Sequence, residues 1–374
     1  MSEGQTNVGA SLTRDLDSTG LSRDKPAPTG KSISSNFMLL LSFCLLTFLT
    51  SCSRYPTTGY LKGDTMGTFY TIQYRSNKAL DPHELDTVLK NTLSEFNSQL
   101  SNWQDNSWIS QFNAAPANRA VPIPEHAYNV VRLSLELAER TNGAFDPTLS
   151  PVIELWGFGT GRSERVPEER SIQAALGKVG YQKLVLDSEN RALLKTDPHL
   201  QLNCSAVAKG YAVDLVAREL RKRGVQGMLI NIGGEVYAAG TKGNGSPWTV
   251  GIQKNLPSGR LSKPKRSISL NDQALATSGH SQRFFFVNGH RYSHILNGKT
   301  GRPVAAPVAS ATVIAPNCAL ADGLATIALI IDSGAMKQLV SQYNGIEYFY
   351  TPWDTQDQLT DSEDRLSSRR ATEG

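Results

Sequence analysis

Apolar residues in this chain switch between two spacings without any regular rhythm, and that irregularity excludes more folds than composition does. From Pro82 to about Leu100 they fall at Leu85, Val88, Leu89, Leu93, Phe96 and Leu100, the three- and four-residue gaps of an amphipathic helix. A second helix is expected over Glu125–Arg140, stopped at Asn142-Gly143. A third covers Ala206–Arg223 and is closed by Gly224, and a last strong one runs from about Ala319 to Ile331. Thr65–Tyr74 and Met228–Ile232 read as strands, and further β-type segments follow through 248–314, broken by a Lys/Pro-rich loop near 255–266. Residues 160–200 read as connecting structure, with a short helix around Ser171–Val179 and short strands near Lys183–Leu186 and Ala192–Lys195. Regular βα alternation is missing and no repeat recurs, so the expected class is α+β, with mixed sheets and packed helices rather than a doubly wound Rossmann sheet.

The first fifty residues read as an address. Residues 1–36 are polar, and Phe37–Leu49 is a nearly unbroken apolar run, the length of a secretory h-region and too short to span a bilayer comfortably. Leu49-Thr50-Ser51-Cys52 resembles a bacterial lipobox cleaved before Cys52; a buried helix or short anchor is the competing reading. The domain plan is therefore a signal peptide over 1–51, a lipid-anchored linker over 52–64, one catalytic domain over 65–353 and a disordered polar tail over 354–374. Lipid on Cys52 would hold an exported protein on a membrane without spanning it, facing the periplasm from the inner membrane of a bacterium. Export permits a disulfide between Cys204 and Cys318, although two separate buried thiols is the preferred reading. A net charge of +4 with no block of Lys or Arg gives nucleic-acid binding little support.

Candidate chemistry collects late in the chain. Asp322 and Thr326 are four residues apart, so on a helix a carboxylate and a hydroxyl share one face and can reach one hard cation. Ser293-His294-Ile295 places an imidazole in a strand-like run. Lys209-Gly210-Tyr211 opens a helix, where free N–H groups and an ammonium attract phosphate. Gly143-Ala144-Phe145-Asp146-Pro147 lets backbone approach a ligand, and Gly233-Gly234-Glu235 follows a strand as a bulge or a close approach. Each has a bland alternative: a helix-stopping turn, a solvated lysine, a structural histidine, a helix-terminal acid. Neither a G-x-G-x-x-G nor a Walker A spacing occurs.

Taken together and in order, these segments resemble the ApbE family of FAD:protein FMN transferases. The matching pieces are Met66-Gly67-Thr68, Ser101-Asn102-Trp103 with Ser107 and Asn113, the Gly143–Pro147 run and Trp156-Gly157-Phe158-Gly159. Ala208–Asp214, Asn231–Glu235, Ala276–Gly279, Ser293–Ile295, Thr300–Pro303 and Ala321–Thr326 complete the series. The resemblance implies Mg²⁺-dependent cleavage of FAD at its pyrophosphate, release of AMP and attachment of FMN through phosphate to a threonine hydroxyl of an acceptor protein. It implies metal ligands at Asp322, Thr326 and the backbone carbonyl of Ala206. His294 is carried over as the base that accepts the threonine proton, helped by an ordinary imidazole pKa of about 6.5. FAD contacts are implied at Met66, Trp103, Ala144, Phe145, Asp146, Asn203, Lys209 and Ile295.

Two positions depart from the family pattern. Asn203 stands where an Asp is usual, keeping the acceptor oxygen and losing the charge. Asn297-Gly298 replaces a common Asp-Pro. No acceptor motif ending in a suitable threonine is found within the chain, so the acceptor is another exported protein. The rival readings are an FAD pyrophosphatase, with water in place of the threonine, and a non-catalytic flavin-binding lipoprotein.

Overall fold

A computed structural model describes residues 57–159, 161, 164–252, 266–281 and 283–353. The signal segment, Cys52, the tail 354–374 and nearly all of the Lys/Pro-rich loop lie outside the described residues. Among the described residues no helix is long and apolar enough to cross a membrane.

The centre is a seven-stranded sheet in the spatial order Thr57–Thr65, Thr68–Ser76, Val225–Ile232, Glu235–Ala239, Gln273–Gly279, Ser310–Ala315, Glu347–Thr351. Every neighbouring pair is antiparallel. The middle strands are covered on both faces, and period-two alternation sorts their side chains. Tyr237, Ala239, Ala274, Ala276, Ala311 and Val313 join the main core under the helices. Val236, Ala238, Leu275 and Ile314 face the other way, into a smaller core roofed by the Trp248–Ile252/Arg266–Leu270 hairpin.

Two helices carry the candidate chemistry. The Lys209 helix, Ser205–Lys222, packs over the Val225–Ile232 strand, and the Asp322 helix, Cys318–Ile330, packs over Gln273–Gly279 and Ser310–Ala315. They also pack on each other, and the contact at Gly210 is tight. A Cβ there would stand 2.6 Å from the carbonyl carbon of Cys318 and 2.8 Å from the nitrogen of Ala319, so only glycine fits. One turn on, Asp214 reaches across and caps the Asp322 helix: its two carboxylate oxygens accept from the N–H groups of Cys318 at 2.8 Å and Ala319 at 2.9 Å. Gly210 and Asp214 thus fix where Asp322 stands.

The long helices fall at Pro82–Leu100 and Glu125–Arg140, where periodicity placed them. Elements not anticipated include helices Trp108–Ala114, Ser150–Leu155 and Ser333–Val340, the short strand Val121–Pro122, the central strand Glu235–Ala239 and the edge strand Glu347–Thr351. The span 57–64, assigned to a linker, instead forms the first strand, because it pairs along its whole length with Thr68–Ser76 through a turn at Met66-Gly67. Its only buried side chain is Leu61, so its sequence shows no apolar alternation. Cys204 and Cys318 are buried and unpaired, as two separate thiols.

Candidate active site

The site forms where the N-terminal part of the Lys209 helix meets the first turns of the Asp322 helix. Lys209 Nζ lies 2.6 Å from Glu235 Oε1 and 3.9 Å from Asp322 Oδ1. Asp322 is buried, and its Oδ2 accepts from the Gly210 N–H at 2.9 Å. In a regular helix that N–H serves the carbonyl of Ala206. Asp322 also draws on it, and the Ala206 carbonyl lies one turn earlier on the same helix. One turn after Asp322, the Thr326 hydroxyl is half-buried and lies 3.0 Å from the hydroxyl of Ser278.

Burial and mutual charge set the electrostatics of this junction. Burial raises the Asp322 carboxyl above the usual carboxylate range, against the pull of Lys209 and the Gly210 N–H. Burial likewise raises Glu235, to about 7, with Lys209 opposing it. Burial alone would lower the Lys209 ammonium; Asp322 and Glu235 more than reverse that and keep it protonated. Two buried carboxylates therefore face one ammonium. Among the described residues no three His, Cys, Asp or Glu side chains converge as a metal cluster. The donors on offer are a carboxylate, a hydroxyl and a carbonyl, hard oxygens that suit Mg²⁺ better than a soft metal.

His294 stands at the edge of this group. Its backbone N–H and its Nδ1 both lie on the carbonyl of Arg283, at 3.0 and 3.1 Å. A carbonyl only accepts, so Nδ1 carries the hydrogen and the lone pair sits on Nε2. Burial lowers the imidazole to about 4; the Arg283 guanidinium and the Lys209 ammonium push the same way, so Lys209 is near enough to be felt. At neutral pH the ring is an uncharged acceptor.

The second half of the site is wired to the first through backbone. Asn203, two residues before the Lys209 helix, donates its N–H to the Pro147 carbonyl at 2.6 Å and caps the Ser205 N–H with its side-chain oxygen at 3.0 Å. The Gly143–Pro147 loop is thereby held beside Ala206. Asp146 is buried, and its carboxylate accepts from Thr148 N (2.8 Å), Thr148 Oγ1 (2.6 Å) and Tyr181 N (2.9 Å); it is first a tie for its own loop. Ala144 and Phe145 are buried next to it. The Gly298 N–H donates to the Ala144 carbonyl at 2.8 Å, and a Cβ at Gly298 would meet Asp146 Cβ at 3.1 Å. A proline there would lose that bond, so Asn297-Gly298 ties the histidine segment to the loop in a way Asp-Pro cannot.

Asn102 and Asn113 both donate to the Leu202 carbonyl, at 3.0 and 2.9 Å, which brings the Trp103 turn beside Asn203. The Trp103 side chain is 65% exposed, an indole face open to solvent. Met66 sits at positive φ in the first hairpin turn. That turn touches the Gly233-Gly234 turn: the Gly233 N–H bonds the Phe69 carbonyl, and a Gly233 Cβ would crowd Thr68 at 2.8 Å. Ile295 is buried in the main core.

The structure thus brings Lys209, Glu235 and Asp322 together where the two helices meet, with Ala206 and Thr326 on those same helices and His294 near enough to feel the Lys209 charge, and ties Asn203 to Pro147 and the Trp103 turn to Leu202. Two residues escaped the sequence reading. Glu235 was read only as part of a glycine turn; an acid in a strand buried along its whole length is the signal that marks it. His280 is fully buried with Nδ1 2.7 Å from the hydroxyl of Ser293, directly behind His294.

Comparison with known proteins places the chain in a family. The chain matches the model of the ApbE family over residues 66–350. It is 35% identical over 289 residues to an FAD:protein FMN transferase of Vibrio cholerae serotype O1, covering 77% of this chain and 85% of the relative. Among solved structures it is similar to the flavin transferase ApbE from Vibrio cholerae, with a TM-score of 0.71 at 32% identity, covering 79% of this chain and 93% of that one. The apo form of the flavinyl transferase ApbE of Pseudomonas stutzeri matches with a TM-score of 0.71 at 35% identity, over 80% and 93% of the two chains.

Proposed function

The chain belongs to the ApbE family, and from that premise we infer that it is an FAD:protein FMN transferase. We propose further that the reaction depends on Mg²⁺, that the acceptor is a threonine hydroxyl of another exported protein, and that AMP is the product released. The observation that carries the reading is the convergence of Asp322, Lys209 and a neutral His294 on one junction between two helices.

The donor set fits a hard divalent cation held by Asp322, Thr326 and the Ala206 carbonyl. Such an ion would neutralise charge on the diphosphate and on the departing phosphate. The Lys209 ammonium binds the same anion from the helix side. The open indole of Trp103 offers a stacking surface for a flavin ring, and the Met66 turn and the Gly143–Pro147 loop line the approach. Asn203 keeps an acceptor oxygen where a charge is usual, and its oxygen is engaged by the helix cap.

His294 supports the proton transfer. The incoming hydroxyl attacks the phosphorus on the FMN side, and its proton passes to Nε2, because Nδ1 is committed to the Arg283 carbonyl. An oxygen–phosphorus bond forms to threonine. The bond from that phosphorus to the bridging oxygen breaks, and AMP departs with that oxygen. Burial keeps the imidazole uncharged and ready, and moderates its basicity.

We also propose export and lipid attachment at Cys52, with the domain facing the periplasm from the inner membrane; the support is the apolar run and the lipobox-like Leu49–Cys52 sequence. The transferase reading is tested by incubating the full chain with FAD, Mg²⁺ and an exported candidate acceptor. Covalent flavin fluorescence on the acceptor band and AMP release are expected together. AMP without any acceptor would make water the true acceptor; FAD retained without AMP would make the protein a binder.

A further inference from the structure

Glu235 has a geometry that the metal and flavin assignments do not use. It follows the Gly233-Gly234 turn, is 4% exposed, and takes Lys209 Nζ at 2.6 Å on Oε1, while Oε2 is buried with no hydrogen-bond partner among the described residues. An orphaned carboxylate oxygen in a protein interior is costly and calls for a reason. The reason lies in the next distance. Lys209 is 3.9 Å from Asp322 Oδ1, outside hydrogen bonding, and that oxygen has no other partner among the described residues. Moving the ammonium by about an ångström would close the gap to an ordinary charge-assisted bond. Lysine has the rotamers to do so, and a Lys209–Asp322 pair would tie up the oxygen a cation needs.

We propose that Glu235 is a positioning residue that takes up the Lys209 ammonium and so keeps Asp322 Oδ1 available to a divalent cation. It acts through Lys209 and touches neither flavin nor acceptor. Charge counting gives the same answer. With Glu235 present, the trio of Glu235, Lys209 and Asp322 carries one net negative charge when all are ionised, and attracts a cation. Without the Glu235 charge, Lys209 cancels Asp322 and nothing remains to attract it. Removing Lys209 and the Glu235 charge together restores the single negative charge.

The inference rests on the transferase reading only for the cation's purpose, and its test uses neither FAD nor acceptor. Binding of Mn²⁺ alone to the full-length protein is followed by loss of the free-ion EPR signal at pH 7.5. Glu235→Gln is expected to weaken Mn²⁺ binding about tenfold, as outer partners of metal ligands commonly do. Lys209→Met in the Glu235→Gln background is expected to return the affinity to within about threefold of wild type, because the ammonium that blocks Asp322 is gone. Unchanged affinity in Glu235→Gln overturns the proposal, as does a double variant that stays as weak as the single one. Should Glu235→Gln fail to fold, lost affinity in the double variant still refutes the clamp, and Glu235→Asp, whose shorter side chain draws the carboxylate back from Lys209, takes the place of the single variant: weakened Mn²⁺ binding supports the clamp and unchanged affinity refutes it. A protein that binds Mn²⁺ as expected but transfers no flavin would refute the function and leave the clamp standing.

Discussion

Replacing Gly210 with alanine puts a methyl group 2.6 Å from the carbonyl carbon of Cys318 and 2.8 Å from the Ala319 nitrogen, with the Cys318 oxygen closer still. All three are backbone atoms, so no side chain can turn aside. The Lys209 and Asp322 helices must move apart by about an ångström, and overpacking of that kind costs about 2 kcal/mol. Separation also stretches the 2.9 Å bond from the Gly210 N–H to Asp322 Oδ2, leaving a buried carboxylate oxygen short of a donor at a cost of about 2 kcal/mol. Better helix propensity returns about 1 kcal/mol. The net loss of about 3 kcal/mol corresponds to a fall in Tm of about 5–10 °C for a domain of this size. Thermal unfolding followed by circular dichroism reads it. A Tm equal to or above wild type would show slack between the helices and refute the argument that their contact sets the position of Asp322.

Three more outcomes follow from the site. His294→Ala is expected to abolish transfer of flavin to the acceptor while FAD binding stays within about threefold, because the imidazole acts on the incoming hydroxyl; transfer at the wild-type rate would remove it as the base. Asp322→Asn removes the ligand charge, so Mg²⁺ dependence and activity should fall together, with kcat down by about 10² or more; a fully active variant refutes the ligand assignment. Burial first, then His294 and Arg291, lower His280 from 6.5 to about 4. A lowered folded-state value means the unfolded chain binds the extra proton between those limits, so this contribution is present above pH 6.5 and is lost as pH falls toward 4. It amounts to about 3 kcal/mol for a fully buried ring. Asp214, raised to about 6 by burial, works in the opposite sense over part of the same window, so the quantity to compare is urea stability of wild type against His280→Gln. The stability of wild type relative to the variant should rise from pH 4.5 to 7; a constant difference contradicts the shift.

The sequence disclosed the parts of the fold that are regular and amphipathic. Leu85, Leu89, Leu93 and Phe96 announce their helix because its one buried stripe lies on a polar background. The Thr57–Thr65 strand stayed hidden because it is an edge with little to bury, held by its pairing with the next strand. Helix Trp108–Ala114 is too short for periodicity to register and depends on its Ser107 cap. The placement of Asp322 and Thr326 one turn apart on a helix was legible because helical spacing is local. Glu235 was not, since what makes it functional is an ammonium 26 residues earlier in the chain, brought within 2.6 Å only by folding. His280 is a similar case: its partner Ser293 lies across a turn of the chain, and its burial follows from tertiary packing.

The central claim is that one diphosphate lies between the Asp322 helix and the lone pair of His294. The measurement that tests it most directly is a crystal structure of the protein with FAD and Mg²⁺ bound. The expected result is the cation on Asp322, Thr326 and the Ala206 carbonyl, with the FMN-side phosphorus on the Nε2 side of His294 and the flavin ring against Trp103. A diphosphate bound elsewhere, with His294 facing empty solvent, would contradict the account.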